Sequence, residues 1–409
     1  MIEAKWTFMV YMAGDNSLSD AGDTDLQEMI KVGSSSDVNI VAEFDNAGTQ
    51  GTKRYLIRKG ELDLREDLKE TDTGDPKVLN DFISWAAREY PAKRYALILW
   101  NHGGGWEPTE MDRIARRLKV RNYNSREAGF LSATQIKKTL FKTSVQKILD
   151  QDSSHERAIC SDDGSGHSLD TVELGNVLSQ TKNTLGKPLD VLGMDACLMS
   201  NLEVAYQAAP YANYLITSEE TEPGEGWPYD SVLNILVNNP DIEISDFSSQ
   251  AVKEYIDFYR KNNETGVTQS ALDLSKVKDA SLTLDVLGKT LIDHMPDASN
   301  EIWNAQKRST KFFYGTLWDI NHFSKEVAAI TSSSEVKDAA KQVQAAFKPG
   351  PSNLVISESH LGSRFENICG VSVYLVPPPN GISKYYGDLE FSNTIKNWPL
   401  MMQKYNESP

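Results

Sequence analysis

Two apolar runs of the 409-residue chain end on side chains that can attack a carbonyl or move a proton. "ALILWNHGGGW", Ala96 to Trp106, ends on His102 and three glycines; "LDVLGMDACLMSN", Leu189 to Asn201, ends on Asp195 and Cys197. A thiolate is a strong nucleophile, and it needs a neighbouring base that can return the proton to a leaving amine, which at neutral pH is usually histidine. Cys197 is expected at the start of the helix "CLMSNLEVAYQAA", where the helix dipole would favour the ionised thiol. Gly103, Gly104 and Gly105 clear side chains from a place where substrate backbone must approach, and the N–H groups of Gly103 and Cys197 are candidate donors to an oxyanion.

Each element also has a plain reading. A lone strand-end cysteine is most often a packed apolar residue, and a lone histidine most often structural. The HGGG run is shared with α/β-hydrolase esterases, but those need a G-x-S-x-G elbow, which the chain lacks. Neither G-x-G-x-x-G spacing nor a P-loop lysine accompanies the glycines, which argues against nucleotide binding.

Both residues need a scaffold that brings them together. "KWTFMVYM" (Lys5 to Met12), "VNIVAEF" (Val38 to Phe44), "RYALILW" (Arg94 to Trp100), "LDVLGM" (Leu189 to Met194) and "NYLITS" (Asn213 to Ser218) are short and nearly continuously apolar, the pattern of strands buried on both faces. Helical patterns alternate with them, including "KVLNDFISWAAREY" after an Asp75-Pro76 start signal. Alternation of this kind predicts a mostly parallel sheet with helices on both faces and a ligand site at the carboxyl ends of the strands, where His102 and Cys197 both fall. Further helices are expected around 231–236, 247–260, 280–294 and 335–347. The runs "QSALDL" (Gln269 to Leu274) and "GVSVYLV" (Gly370 to Val376) are expected to return to the sheet. The division this suggests is a catalytic core over 1–240 and a C-terminal α/β region over 241–409 that completes the sheet or packs on it.

A net charge of −16 opposes nucleic acid or an anionic membrane as partner and suits a cationic substrate. No run reaches the roughly 18 apolar residues of a membrane span, and no export signal is visible, so the expectation is a cytoplasmic protein, or a secreted one whose signal has been trimmed. Cys160, Cys197 and Cys369 are too few and too far apart for a disulfide framework, and no zinc motif is present. "CSDDGSGHSLD", Cys160 to Asp170, groups carboxylates with glycines and is compatible with calcium, although a turn leading into a helix N-terminus explains it better. The insert at about 107–158 departs from the acidic composition: Arg113 to Lys147 holds ten Lys or Arg and one acid, Glu127. A solvated basic surface accounts for such a run equally well.

"WTFMVYMAGDNSL", "ALILWNHGGGW", "LDVLGMDACLMSNLEVAYQ" and "SEETEPGEGWPYD", in that order, resemble the clostripain family of cysteine peptidases, in the clan of caspases, legumains and gingipains. The resemblance is dense from Trp6 to Asp230 and thinner beyond. It implies a three-layer α/β/α sandwich and an endopeptidase that cuts peptides after Arg or Lys; some relatives need calcium, while the expectation for this chain is a monomer with no required cofactor. By the same resemblance Cys197 is the nucleophile, His102 the general acid/base, and Asp195 the acid tied to basic P1 preference. A buried carboxylate is well matched to a guanidinium, which it can hold bidentately. Asp15 and Asn16 end the first strand on the same edge and are candidate P1 contacts or a simple turn. Glu219 and Glu220 follow a strand that borders the P1 pocket in this clan. The resemblance also implies a cut between the histidine and cysteine strands, with Arg113, Arg116, Arg117, Lys119 and Arg121 as candidate bonds. A catalytically silent binding module is the alternative; the presence of both Cys197 and His102 favours the enzyme.

Overall fold

The computed structural model describes residues 3–16, 18–47, 51–106, 169–312 and 315–407. In chain order, strand β1 (Ala4–Gly14) leads to helix α1 (Ser19–Val32), β2 (Val38–Asn46), β3 (Gly51–Arg58), β4 (Glu61–Lys69), α2 (Pro76–Glu89) and β5 (Ala92–Trp100). After the insert come α3 (Thr171–Leu185), β6 (Leu189–Asp195), α4 (Leu202–Ala208), β7 (Ala212–Thr217), α5 (Tyr229–Asn238), α6 (Ile244–Lys261) and β8 (Val267–Asp273). The remainder holds α7 (Val277–Asp293), α8 (Asp297–Arg308), β9 (Leu317–Asp319), α9 (Ile320–Ile330), α10 (Ser334–Phe347), β10 (Val355–Leu361), β11 (Ser372–Tyr374), α11 (Glu390–Thr394) and α12 (Asn397–Glu407).

Among the described residues nine strands form one sheet in the order β10-β8-β7-β6-β5-β1-β2-β3-β4. The five central strands, β7 to β2, run parallel, and the two strands at each edge are antiparallel. The centre must be covered twice, and β1 shows how. Met9, Tyr11 and Ala13 enter one hydrophobic layer with α2, α3 and α7, while Trp6, Phe8, Val10 and Met12 enter the other with α1, α5 and α6. Alternate side chains of a strand point to opposite faces, so an apolar residue is needed at almost every position. The result is the expected three-layer α/β/α sandwich. None of the described helices is long and apolar enough to cross a membrane.

The strand expectations hold at the centre and shift at the margins. β3 and β4 are a hairpin whose second strand is polar and largely exposed, which hides it from an apolar pattern. "GVSVYLV" does not return to the main sheet. β11 pairs antiparallel with β9 in a two-stranded sheet, and β10 takes the outer place beside β8. That small sheet is nevertheless stitched to the chain around Cys197: Ser372 N–H donates to Ser200 O at 3.0 Å, and Ser200 Oγ donates to Gly370 O at 2.6 Å. Main-chain and side-chain contacts also cross residue 240, as Trp6 Nε1 donates to Pro240 O at 3.0 Å and Arg94 to Ile242 O at 2.5 Å.

One buried carboxyl in this junction makes stability depend on pH. Glu203 of α4 is fully buried, and its Oε1 accepts from Tyr374 N at 3.0 Å and Tyr386 Oη at 2.9 Å, while its Oε2 has no partner. Burial pushes its pKa up to about 7, so the folded protein holds a proton that the unfolded chain releases near the ordinary glutamate value. The stability this carries is complete below the unfolded value and is lost as pH rises through the folded one. Between pH 5 and pH 8 the loss is about 2 kcal/mol. Glu203→Gln, measured by urea denaturation at both values, is expected to abolish this part of the pH dependence; an unchanged difference would refute the assignment.

Candidate functional site

β5 and β6 are neighbours in the sheet, with Trp100 opposite Asp195. Each chain leaves its strand at the same level, so His102 and Cys197 emerge side by side at the carboxyl edge. The two segments then touch. A Cβ on Gly103 would lie 2.2 Å from Cys197 O and 2.8 Å from Cys197 N, so only glycine fits there. Gly105 is required for a different reason, a left-handed φ of 77°. Trp106 pins the far end of the glycine run, buried edge-on against Tyr374 and Tyr386 at 4.7 and 4.9 Å between ring centroids. At the near end, Asn101 donates its side-chain amide to Ala13 O and accepts from the His102 N–H. His102 itself is half-buried.

Cys197 does not start a helix. α4 begins five residues later, capped by Asn201, whose side chain accepts from Val204 N at 2.9 Å, and Leu198 in between has φ 66°. The reason is the chain beyond β7, which runs back antiparallel along this turn: Ser200 N bonds to Ser218 O at 2.8 Å and Leu198 N to Glu220 O at 3.2 Å. The same ladder places Glu222 N 3.2 Å from Cys197 Sγ, and Sγ 3.9 Å from Glu222 O. Far from being helped by a helix dipole, the thiol is pushed up to about 11, first by burial and then by the nearby carboxyls of Glu220 and Asp195. The N–H groups of Glu222 and Gly103 oppose this. Those donors sit where a developing oxyanion beside the sulfur would also find them.

Asp195 closes β6 and is buried beneath the nucleophile. Its Oδ2 accepts from Tyr229 Oη at 3.0 Å and Trp227 N at 3.2 Å, and Gly226 faces it so closely that a Cβ there would come within 3.0 Å of both oxygens. Burial raises its pKa, and hydrogen bonds from Glu222, Trp227 and Tyr229 offset part of the rise. Trp227, which reads as packing in the sequence, is fully buried in the α5–α6 layer, and its backbone N–H serves Asp195.

Two acids that sequence reasoning passed over complete this cluster. Asp25 of α1 is buried, accepts from Trp100 Nε1 at 2.6 Å, and is held well above the ordinary aspartate value by burial and by Asp195. Its signal was an acid on the inward stripe of an amphipathic helix, among Gly22, Leu26, Met29 and Val32. Glu222 is buried against Asp195, with Oε1 3.5 Å from Gln269 Nε2 and Oε2 unpartnered.

The remaining candidates fare differently. Asn16 is used by its own turn: Nδ2 donates to Ala13 O at 2.8 Å and Oδ1 accepts from Leu18 N at 2.8 Å. Asp15 lies at the carboxyl end of β1, half-buried. Glu220 is buried near Cys197 but is neutralised by Arg364 at 2.7 Å. Glu219 faces Asp319 and Glu358 rather than Asp195. Asp170 caps α3 in a reciprocal box with Glu173, as a turn leading into a helix requires. Among the described residues no His, Cys, Asp or Glu group is arranged to hold a metal ion. Arg113, Arg116, Arg117, Lys119, Arg121 and Cys160 lie outside the described residues. Cys369 is buried and free of disulfide.

Compared with known proteins, the chain matches the model of the clostripain family over residues 10–153 and 144–404. It is 27% identical over 263 residues to clostripain of Hathewaya histolytica, a match that covers 56% of this chain and 42% of that protein, less than half its length. Its fold is similar to that of a secreted C11 cysteine protease from Bacteroides thetaiotaomicron, solved with an irreversible peptide inhibitor. That likeness has a TM-score of 0.65 and 20% identity, over 96% of this chain and 99% of that one. An inactive zymogen C11 protease from Parabacteroides distasonis also gives a TM-score of 0.65, at 18% identity over 97% of this chain and 99% of that one.

Gly103→Ala tests the contact between the two strand ends. The new methyl group displaces the Gly103 N–H from Sγ, and losing a hydrogen bond to a developing thiolate should slow Cys197 alkylation by iodoacetamide at least about tenfold at pH 7.5. Mass-spectrometric labelling of the Cys197 peptide measures this; an unaltered rate would dismiss the contact.

Proposed function

Because the chain belongs to the clostripain family, we propose that it is a cysteine endopeptidase that cleaves after Arg or Lys, with Cys197 as nucleophile and His102 as general acid/base. The observation that carries the specificity is the buried acidic cluster beside the nucleophile, where Asp195, Asp25 and Glu222 converge with no Lys or Arg of the described residues paired to them. A buried carboxylate cluster is costly unless a cation joins it, and a P1 guanidinium or ammonium supplies one from the substrate. The arrangement of the tyrosines supports this reading. Tyr229 donates to Asp195, Tyr259 donates to Gly226 O at 2.7 Å, and Tyr255, whose surroundings include Glu222 and Asp195, has an unpartnered hydroxyl.

In the proposed reaction His102 takes the Cys197 proton as Sγ adds to the scissile carbonyl, the carbonyl oxygen charges against the Gly103 and Cys197 N–H groups, and His102 returns the proton to the leaving amine. Water then hydrolyses the thioester by the same route in reverse. No cofactor enters this scheme. The chain is further proposed to cut its own basic insert after one or more of Arg113, Arg116, Arg117, Lys119 and Arg121, since an attached substrate has a very high effective concentration. A monomer is sufficient for all of these steps.

Three variants test the reading with fluorogenic peptides carrying Arg, Lys, Asp or Asn at P1. Cys197→Ala is expected to abolish hydrolysis and to remain a single intact chain on purification, whereas Cys369→Ala keeps most activity. Nicking of Cys197→Ala at the same bonds would assign the cut to another protease. Asp195→Asn should lower kcat/KM for Arg substrates at least about tenfold, because a neutral amide does not compensate a desolvated guanidinium. Equal Arg kinetics in that variant would remove Asp195 from the specificity role.

A further inference from the structure

Resting on the reading of this pocket as the seat of a cationic P1 side chain, we propose that Glu222 is a specificity-determining residue. Its carboxyl and that of Asp195 hold one proton between them while the pocket is empty, and an arriving guanidinium or ammonium displaces that proton to water.

The geometry distinguishes the two acids. Asp195 is 5% exposed and Glu222 4%, so neither reaches water freely, and the two carboxyls meet side chain to side chain. Two such groups in contact do not both ionise in a dry site. The negative charge belongs on Asp195, whose Oδ2 already accepts from Tyr229 Oη at 3.0 Å and Trp227 N at 3.2 Å. The proton belongs on Glu222, whose Oε2 has no donor within reach and whose Oε1 accepts only over the long contact from Gln269. Burial and then Asp195 hold Glu222 well above the ordinary glutamate range, in accord with this division.

The surroundings on every side keep the proton in place. α1 contributes Asp25, with Glu28 beside it and Lys31 offsetting Glu28; the loop before α5 contributes Glu225, which acts on Asp25 and Tyr259; α5 and α6 contribute Tyr229, Tyr255 and Tyr259; Cys197 lies on the remaining side. Glu220 is nearby on the cysteine side and is neutralised by Arg364. A P1 cation reverses the balance by making a second carboxylate favourable. The exchange is one proton out to solvent for one cation in. A neutral P1 group leaves Glu222 protonated and gains nothing from it. The residue that makes this exchange also touches the nucleophile, with its N–H 3.2 Å and its carbonyl 3.9 Å from Cys197 Sγ. Filling the pocket therefore acts on the segment that borders the thiol.

Because binding releases a proton, affinity for a cation rises with pH and falls as protons compete at low pH. The test is calorimetry of n-butylguanidinium, a mimic of the arginine side chain, binding to the full chain at pH 7 in phosphate and in Tris, which differ in ionisation enthalpy. The wild-type protein should release about half to one proton per ligand, and its Kd should tighten by up to about tenfold per pH unit between pH 5.5 and 8. Glu222→Gln should bind at least about tenfold more weakly and release almost none. Binding without proton release in the wild-type protein, or a Kd that does not change with pH, overturns the proposal and leaves the acidic pocket standing; neither result needs the variant. Undiminished release from Glu222→Gln places the proton elsewhere and also overturns it. If n-butylguanidinium does not bind at all, the cationic-pocket reading fails and the proposal fails with it.

Discussion

The parallel pairing of β5 with β6, Trp100 opposite Asp195, is the contact on which the site depends. Hydrogen bonding between two strands fixes their ends to the same level, so the residues that follow each strand have nowhere to go but toward each other. Gly103 then packs on the Cys197 backbone at a distance no side chain allows, and an N–H from the histidine segment reaches the sulfur. The supports around this contact prevent it from opening: the Asn101 amide on β1, Trp106 between two tyrosines, and the Ser200–Ser372 bonds to the C-terminal strands.

Electrostatics sets the second constraint. The chain carries a net charge of −16, and part of that acidity is buried beside a thiol that burial already holds protonated. Negative groups near a would-be thiolate oppose its ionisation, so the resting site is the wrong environment for an anionic nucleophile. The same groups are the right environment for a cation. On the proposed reading, specificity and activation come from one arrangement, since the substrate's own charge offsets what the empty pocket lacks.

The central strands were legible in the sequence because strands buried on both faces are apolar at nearly every position, as β1, β5 and β6 are. β4 was not legible, because an exposed edge strand reading "ELDLREDLK" has no reason to be apolar. The helix at Cys197 was expected in the wrong place. Local propensity favoured an early start, while the antiparallel return of 218–222 along 198–200 held those residues in a turn. Asp25 and Glu222 were missed for a related reason: an acid is remarkable only when buried, and burial belongs to the packed chain.

By itself, the sequence determined the types of residue that do chemistry and their places at strand ends, because strand periodicity and the glycine run are local properties. It also determined the family, through four motifs in a fixed order. Tertiary structure alone decided which acids face one another. Glu219, Glu220 and Glu222 are near neighbours in sequence, yet they go to Asp319, to Arg364 and to Asp195 respectively. That division follows from partners a hundred or more residues away in two of the three cases, which no local pattern encodes.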